Sequence, residues 1–166
     1  MFVLGIDPGL SRCGYGCVEQ RLRRPRAVAA GVITTEPDWA VPQRLAELQV
    51  EVRALIAEHK PRVVAVERVL FQVNVRTAMS VGQASGIVMA EAAAAGCDVV
   101  EYSPNEIKNA VAGHGGANKD QMERMVQALL EIDRPLRPVD VADALAVALC
   151  HLAQAPTAAA VARAGR

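Results

Sequence analysis

The chain opens on an apolar run, Phe2 to Ile6, cut off by Asp7-Pro8-Gly9. A short apolar run ended by turn residues predicts a buried strand. Gly14 to Glu19 and Ala27 to Thr34 predict two more strands, joined by the basic turn RLRRPR, so the three form an antiparallel meander. Pro42 opens a helix over 42–59, with Leu45, Leu48, Val52, Leu55 and Ile56 on one stripe, and Lys60-Pro61 ends it. Val63 to Val66 is continuously apolar, the pattern of a central strand buried on both faces. After a loop comes a helix over 77–95, closed by Gly96, and Val99 to Tyr102 gives a fifth strand. Pro104 starts a short helix ending near Gly113. Asn118 caps a helix over 119–130, with Gln121 completing a capping-box pattern. Pro135 and Pro138 break the chain before a last helix over 140–152. The remainder, QAPTAAAVARAGR, is low-complexity and expected to be flexible.

Three strands, then alternating helix and strand, then helices, predict an α/β fold: a mixed five-stranded sheet flanked by helices on both faces. A length of 166 residues suits a single domain, placed over 1–153, with 154–166 as a tail. Hydrophobic residues at 52% and charged residues at 22% are globular values and exclude a disordered or collagen-like chain. Lys+Arg and Asp+Glu are 18 each, so the formal net charge is +0. A uniformly basic coat is excluded, and any nucleic-acid binding must rest on local patches. No apolar run is long enough to span a bilayer; Gly86 to Gly96 is interrupted by Glu91. The N-terminus has no basic n-region of a signal peptide, so a cytoplasmic protein with reduced thiols is expected. Cys13 and Cys17 lack the second close Cys/His pair of a zinc site, and His59, His114 and His151 are scattered.

Four acids stand where a core would not want them. Asp7 ends the first strand, Glu67 ends the central strand VVAVE, and Asp140 and Asp143 open the last helix three residues apart, on one face. Each has a plain reading alone: a turn cap, a strand exit, an N-cap, a first-turn acid favoured by the helix dipole. Together they are different. Two strand-end acids in one sheet, facing a helix that offers two more, concentrate like charge that only cations relieve. Carboxylate oxygens are hard ligands suited to Mg²⁺ or Mn²⁺. Two such ions about 3.5–4 Å apart can activate a water and stabilise the leaving oxygen of a phosphodiester. No Ser-His-Asp or Cys-His constellation offers a competing nucleophile.

The segments GIDPGLSRCGYG, VVAVERV, NVRTAMSVGQASG, YSPNEIKNAVAGHGGANKDQM and VDVADALAVAL, in this order and spacing, resemble the RuvC family of Holliday-junction resolvases, from the first strand to about Leu152. The resemblance implies a ribonuclease-H-like fold, a homodimer, and Mg²⁺-dependent cutting of four-way DNA junctions in recombination and repair. Two Mg²⁺ per site are implied, with Mn²⁺ able to substitute, and association with a RuvA–RuvB branch-migration complex. The family's catalytic, metal-holding carboxylates match Asp7, Glu67, Asp140 and Asp143, and its DNA-contacting lysines match Lys108 and Lys119.

Other residues join this picture. Lys119, in the first turn of its helix, opposes the helix dipole, a local inconsistency that can mark function. It follows the Gly-rich loop Gly113-His114-Gly115-Gly116, whose backbone N–H groups could hold a phosphate. Arg76 follows the Glu67 strand and could face the same DNA, and Arg21, Arg23, Arg24 and Arg26 form the densest positive run, either a solvated hairpin tip or a phosphate contact. Leu70 and Phe71 come just after Glu67, beyond Arg68 and Val69. They are either core plugs or a wedge that unstacks bases near the cut. Some relatives carry an aromatic at the position of Leu70; here it is one residue later. The helix over 77–95 is apolar almost all round, and Gly82 and Gly86 would permit a close helix approach, so a second subunit could cover its outer side. The rival nucleotide-binding reading, an actin-like or sugar-kinase-like domain, needs two similar subdomains, for which 166 residues are too few. A junction-binding module without catalysis conflicts with four intact acids.

Overall fold

A computed structural model of the chain describes the backbone of residues 1–68 and 75–164, and the side chains of 1–68 and 78–154. Five strands form one sheet: β1 (Phe2–Asp7), β2 (Arg12–Glu19), β3 (Arg26–Thr34), β4 (Val63–Glu67) and β5 (Asp98–Tyr102). Their spatial order is β3-β2-β1-β4-β5. The meander β1–β2–β3 is antiparallel, while β4 and β5 add in parallel to β1, so the sheet is mixed as expected. Parallel addition needs crossovers, and two helices supply them: α1 (Val41–His59) and α2 (Val75–Ala94). The other face carries α3 (Pro104–Ala112), α4 (Lys119–Leu130) and α5 (Val139–Ala164).

Side-chain alternation assigns the faces. Leu4, Ile6, Val64 and Val66 point into one core with Leu48, Val52 and Ile56 of α1 and Ala84, Val88 and Ala92 of α2. Each fully buried aliphatic there contributes about 1.5–3 kcal/mol. Val3, Val63, Ala65 and Tyr102 point the other way, against Ile107, Val126, Leu145 and Leu149 of the three remaining helices. Odd-numbered β1 and β4 residues thus face α5, and Asp7 and Glu67 continue that parity just past the last β1–β4 pair, Ile6 and Val66.

One departure from the sequence expectation stands out. The last helix does not stop at 152; its backbone continues to Ala164. Alanine has the highest helix propensity, and the alanine-rich run 158–160 favours continuation of the helix. The helix over 77–95 is buried along one side only. Ala84, Val88 and Ala92 are buried, with Ser85 and Glu91 beside them, whereas Met79, Gln83, Gly86, Ala90 and Ala93 are exposed along one stripe. Ile87 and Met89 are partly committed to the chain's own core. Asn118 and Gln121 do form a capping box at α4, and Ser103 and Glu106 form a second one at α3 that the sequence reading passed over.

Candidate active site

The site is built where β1 and β4 end beneath α5. What lets α5 come down so far is glycine. A Cβ on Gly5 would lie 2.2 Å from the Ala144 carbonyl oxygen, and one on Gly14 would lie 2.4 Å from that of Asp140. Neither contact is possible for a side chain, so the first turns of α5 rest on bare backbone of β1 and β2. Gly14 is also the cross-strand partner of Asp7. The strand-borne and helix-borne acids are brought together by this contact.

A cleft of ≈ 560 Å³ opens there, lined by Asp7, Glu67 and Asp143, by Lys108 of α3, and by Asn118 and Lys119 at the start of α4. Its apolar wall includes Ile107, Ala117, Met122 and Ala146. Burial against this wall, then the charges of Glu67, Asp143 and Asp140, push the Asp7 carboxyl from its ordinary range up to about 7. Glu67 is raised by burial and by Asp143, and Asp143 is raised by burial despite Lys119. Lys119 Nζ stands 3.5 Å from Asp143 Oδ2. The positive charges of Lys119 and Lys108 both favour ionised Glu67.

Asp140 behaves differently. Its carboxylate turns to the rim, where Arg12 donates from Nε at 3.4 and 3.2 Å and from Nη2 at 2.7 Å. That hydrogen-bonded pair holds the Asp140 carboxyl below the usual carboxylate range. Three of the four sequence-predicted acids therefore line the cleft and the fourth is held beside it. The turn after Asp7 is braced from the far side. Thr35 Oγ1 donates to the Leu10 carbonyl at 2.6 Å, and Arg44 donates to Thr35 Oγ1 at 2.9 Å and to Ser11 Oγ at 2.5 Å.

A family model described as crossover junction endodeoxyribonuclease RuvC matches residues 3–151. The chain belongs to the RuvC family. A crossover junction endodeoxyribonuclease RuvC of Salinispora arenicola is 52% identical over 153 residues, covering 92% of this chain and 87% of that protein. The structure of Thermus thermophilus RuvC in complex with Holliday junction substrate superposes with a TM-score of 0.90 at 35% identity, covering 95% of this chain and 96% of that one. The yeast mitochondrial Holliday junction resolvase shares the fold, with a TM-score of 0.67 at 17% identity over 91% of this chain and 78% of that one. The ribonuclease-H-like architecture expected from the sequence is therefore the one observed. As a RuvC-family member the chain is a nuclease of the hydrolase class, and nucleases of this family depend on a metal ion.

The residues present suit such an ion in charge and chemistry. Asp7, Glu67 and Asp143 offer only hard oxygens, and their mutual repulsion in a half-closed cleft is what a divalent cation relieves. Among the described residues no three acids, histidines or cysteines stand close enough for a preformed cage. The four cysteines are free thiols, three of them buried, and hold no place in the site.

Of the remaining sequence candidates, Leu70 and Phe71 lie outside the described residues. Arg76 sits on the first turn of α2, and its side chain lies outside the description. Arg12 is the residue that the sequence reading missed. Its signal was an arginine one residue past the Asp-Pro-Gly-Leu-Ser turn, in step with Gly14 and Gly16 on the face toward α5. Among the described residues no helix is long and apolar enough to cross a membrane.

Proposed function

We propose that this chain resolves four-way DNA junctions by hydrolysing one phosphodiester in each of two strands. The observation that carries the reading is the Asp7 carboxyl, pushed up to about 7 among Glu67, Asp143 and Asp140 in a cleft that also holds two lysines. Such a cleft favours a cation and a phosphate together and disfavours either alone. Asp7, Glu67, Asp140 and Asp143 would hold Mg²⁺, two ions per site, with Mn²⁺ able to substitute. Bound there, the ions supply the charge that activates water and stabilises the leaving oxygen. Lys108 and Lys119 hold the phosphate from the α3–α4 side, and each also offsets acid charge while the DNA is absent. Arg76 extends the basic surface. Leu70 or Phe71, three and four residues beyond Glu67, wedges between bases at the crossover.

The catalytic unit spans residues 1–153 and works as a homodimer in the cytoplasm, in association with a RuvA–RuvB branch-migration complex. The exposed stripe of α2, Met79, Gln83, Gly86, Ala90 and Ala93, supports the dimer: it is apolar except for Gln83, and a Cβ on Gly82 or Gly86 would meet nothing within 4 Å. A two-fold pair suits a substrate with approximate two-fold symmetry. The test is incubation of the purified protein with a synthetic four-way junction and with a linear duplex of the same sequence, with and without Mg²⁺. Paired nicks in the junction alone, and with Mg²⁺ alone, are expected. Equal cutting of the linear duplex would overturn the reading.

A further inference from the structure

We propose that Arg12 is a positioning residue that holds Asp140 at the rim of the cleft and competes with the catalytic cation for its carboxylate. The inference rests on the proposed metal site and deepens it. The geometry is a grip centred on Oδ2, which takes both donors, with a longer contact to Oδ1. Nε reaches both carboxylate oxygens, at 3.4 and 3.2 Å, and Nη2 reaches Oδ2 at 2.7 Å. The planar guanidinium thus engages both of the oxygens through which Asp140 could bind a metal. Asp140 is absent from the cleft wall, whereas Asp143, one turn further along α5, faces it.

The placement of Arg12 is fixed by the sheet rather than by chance contact. It begins β2, in step with Gly14 and Gly16, on the face against which α5 rests. Gly14 lies directly against the Asp140 backbone, so Arg12 and Asp140 are held as neighbours by main-chain packing. The arginine side chain is nearly half exposed, at 47%, and the Asp140 side chain is 24% exposed. Solvent therefore screens the pair, and it can open at small cost. This is the property a replaceable counter-ion needs. Arg12 keeps the α5 acid ordered without the metal, yet yields its oxygens to a doubly charged competitor.

Lysine cannot reproduce the grip, because an ammonium is a point charge without the planar fork. The test compares wild type, Arg12→Gln, Arg12→Lys and Asp7→Asn by calorimetric titration with MnCl₂, without DNA, each variant first checked by thermal melting. Arg12→Gln is expected to bind Mn²⁺ about two- to fivefold more tightly than wild type, the range set by an exposed ion pair. Arg12→Lys is expected to show a smaller gain. Unchanged or weaker Mn²⁺ binding in Arg12→Gln overturns the proposal. Should Arg12→Gln fail to fold, absence of any gain in Arg12→Lys overturns it. Asp7→Asn keeps the two levels apart: Mn²⁺ binding unaffected by that change would sink the metal site itself, whatever Arg12 does.

Discussion

The two faces of the sheet each enclose carboxylates, and they treat them in opposite ways. On the α1–α2 face Glu91 is 8% exposed, yet it accepts hydrogen bonds from Gln49 at 2.6 Å and from Arg53 at 2.8 and 2.9 Å. Those partners hold its carboxyl down at about 2. On the α5 face Asp7 meets burial and three more acids and is pushed up to about 7. One acid is satisfied inside the chain and the other is left for something the chain does not contain. A buried carboxylate with its own arginine holds structure together, whereas one surrounded by other acids opposes folding and marks a site for ligand charge.

The most drastic way to break this contrast is Asp7→Asn. It should reduce junction cleavage to background in Mg²⁺ while junction binding persists. The same change should raise the metal-free melting temperature at pH 8, since it removes repulsion. Glu91→Gln on the other face should show no such pairing of lost activity with gained stability.

Next in size is the outer side of the α1–α2 layer. Met79 is 60% exposed, so Met79→Glu should leave each subunit folded. If α2 pairs with a second copy, sedimentation at micromolar concentration should shift from dimer to monomer. A wild-type protein already monomeric there would refute the pairing.

The pH dependence of stability sharpens the contrast further. Asp7, raised from 3.8 to about 7, retains its proton in the folded state where the unfolded chain has lost it. Metal-free stability should therefore rise as pH falls from about 7 toward 4. Glu91, lowered from 4.5 to about 2, has the opposite sign: its contribution is full above 4.5 and is lost as pH falls toward 2. Thermal melts across pH should show both limbs. Asp7→Asn should flatten the upper one, and Glu91→Gln should flatten the lower one and lower the melting temperature by a few degrees.

The smallest expected effect belongs to the lysines. Lys108→Ala or Lys119→Ala should weaken binding to all junction sequences alike, because phosphate contacts carry no sequence information. The log–log salt slope should fall by roughly 0.7–0.9 per lost contact. An unchanged slope would leave the lysines with their acids alone.

What the sequence made legible follows from how local each signal is. The strand ends at Asp7 and Glu67 could be read because an apolar run stops there, and parity then put both acids on one face. The α4 start could be read because Asn118 and Gln121 form a self-contained box. Glu91 registered only as an interruption in an apolar run, since its partners Gln49 and Arg53 lie about forty residues away on another helix. Asp140 and Asp143 looked equivalent because helical spacing was all that separated them. Arg12 divides them, from 128 residues away, through a contact made by tertiary packing. The exposed stripe of α2 was hidden by composition, for alanine and glycine read the same inside and out.

The bare backbone of Gly5 and Gly14 has a further consequence, which concerns tolerance. With a methyl group on Gly14, the Asp140 carbonyl would have to retreat by more than about half an ångström. Metal–oxygen bonds to Mg²⁺ and Ca²⁺ differ by about 0.3–0.5 Å. The displacement one added methyl group would impose is therefore larger than the difference in metal–oxygen distance between these two cations. The gauge of the gap between strand acids and helix acids is set by side-chain atoms that Gly5 and Gly14 do not have.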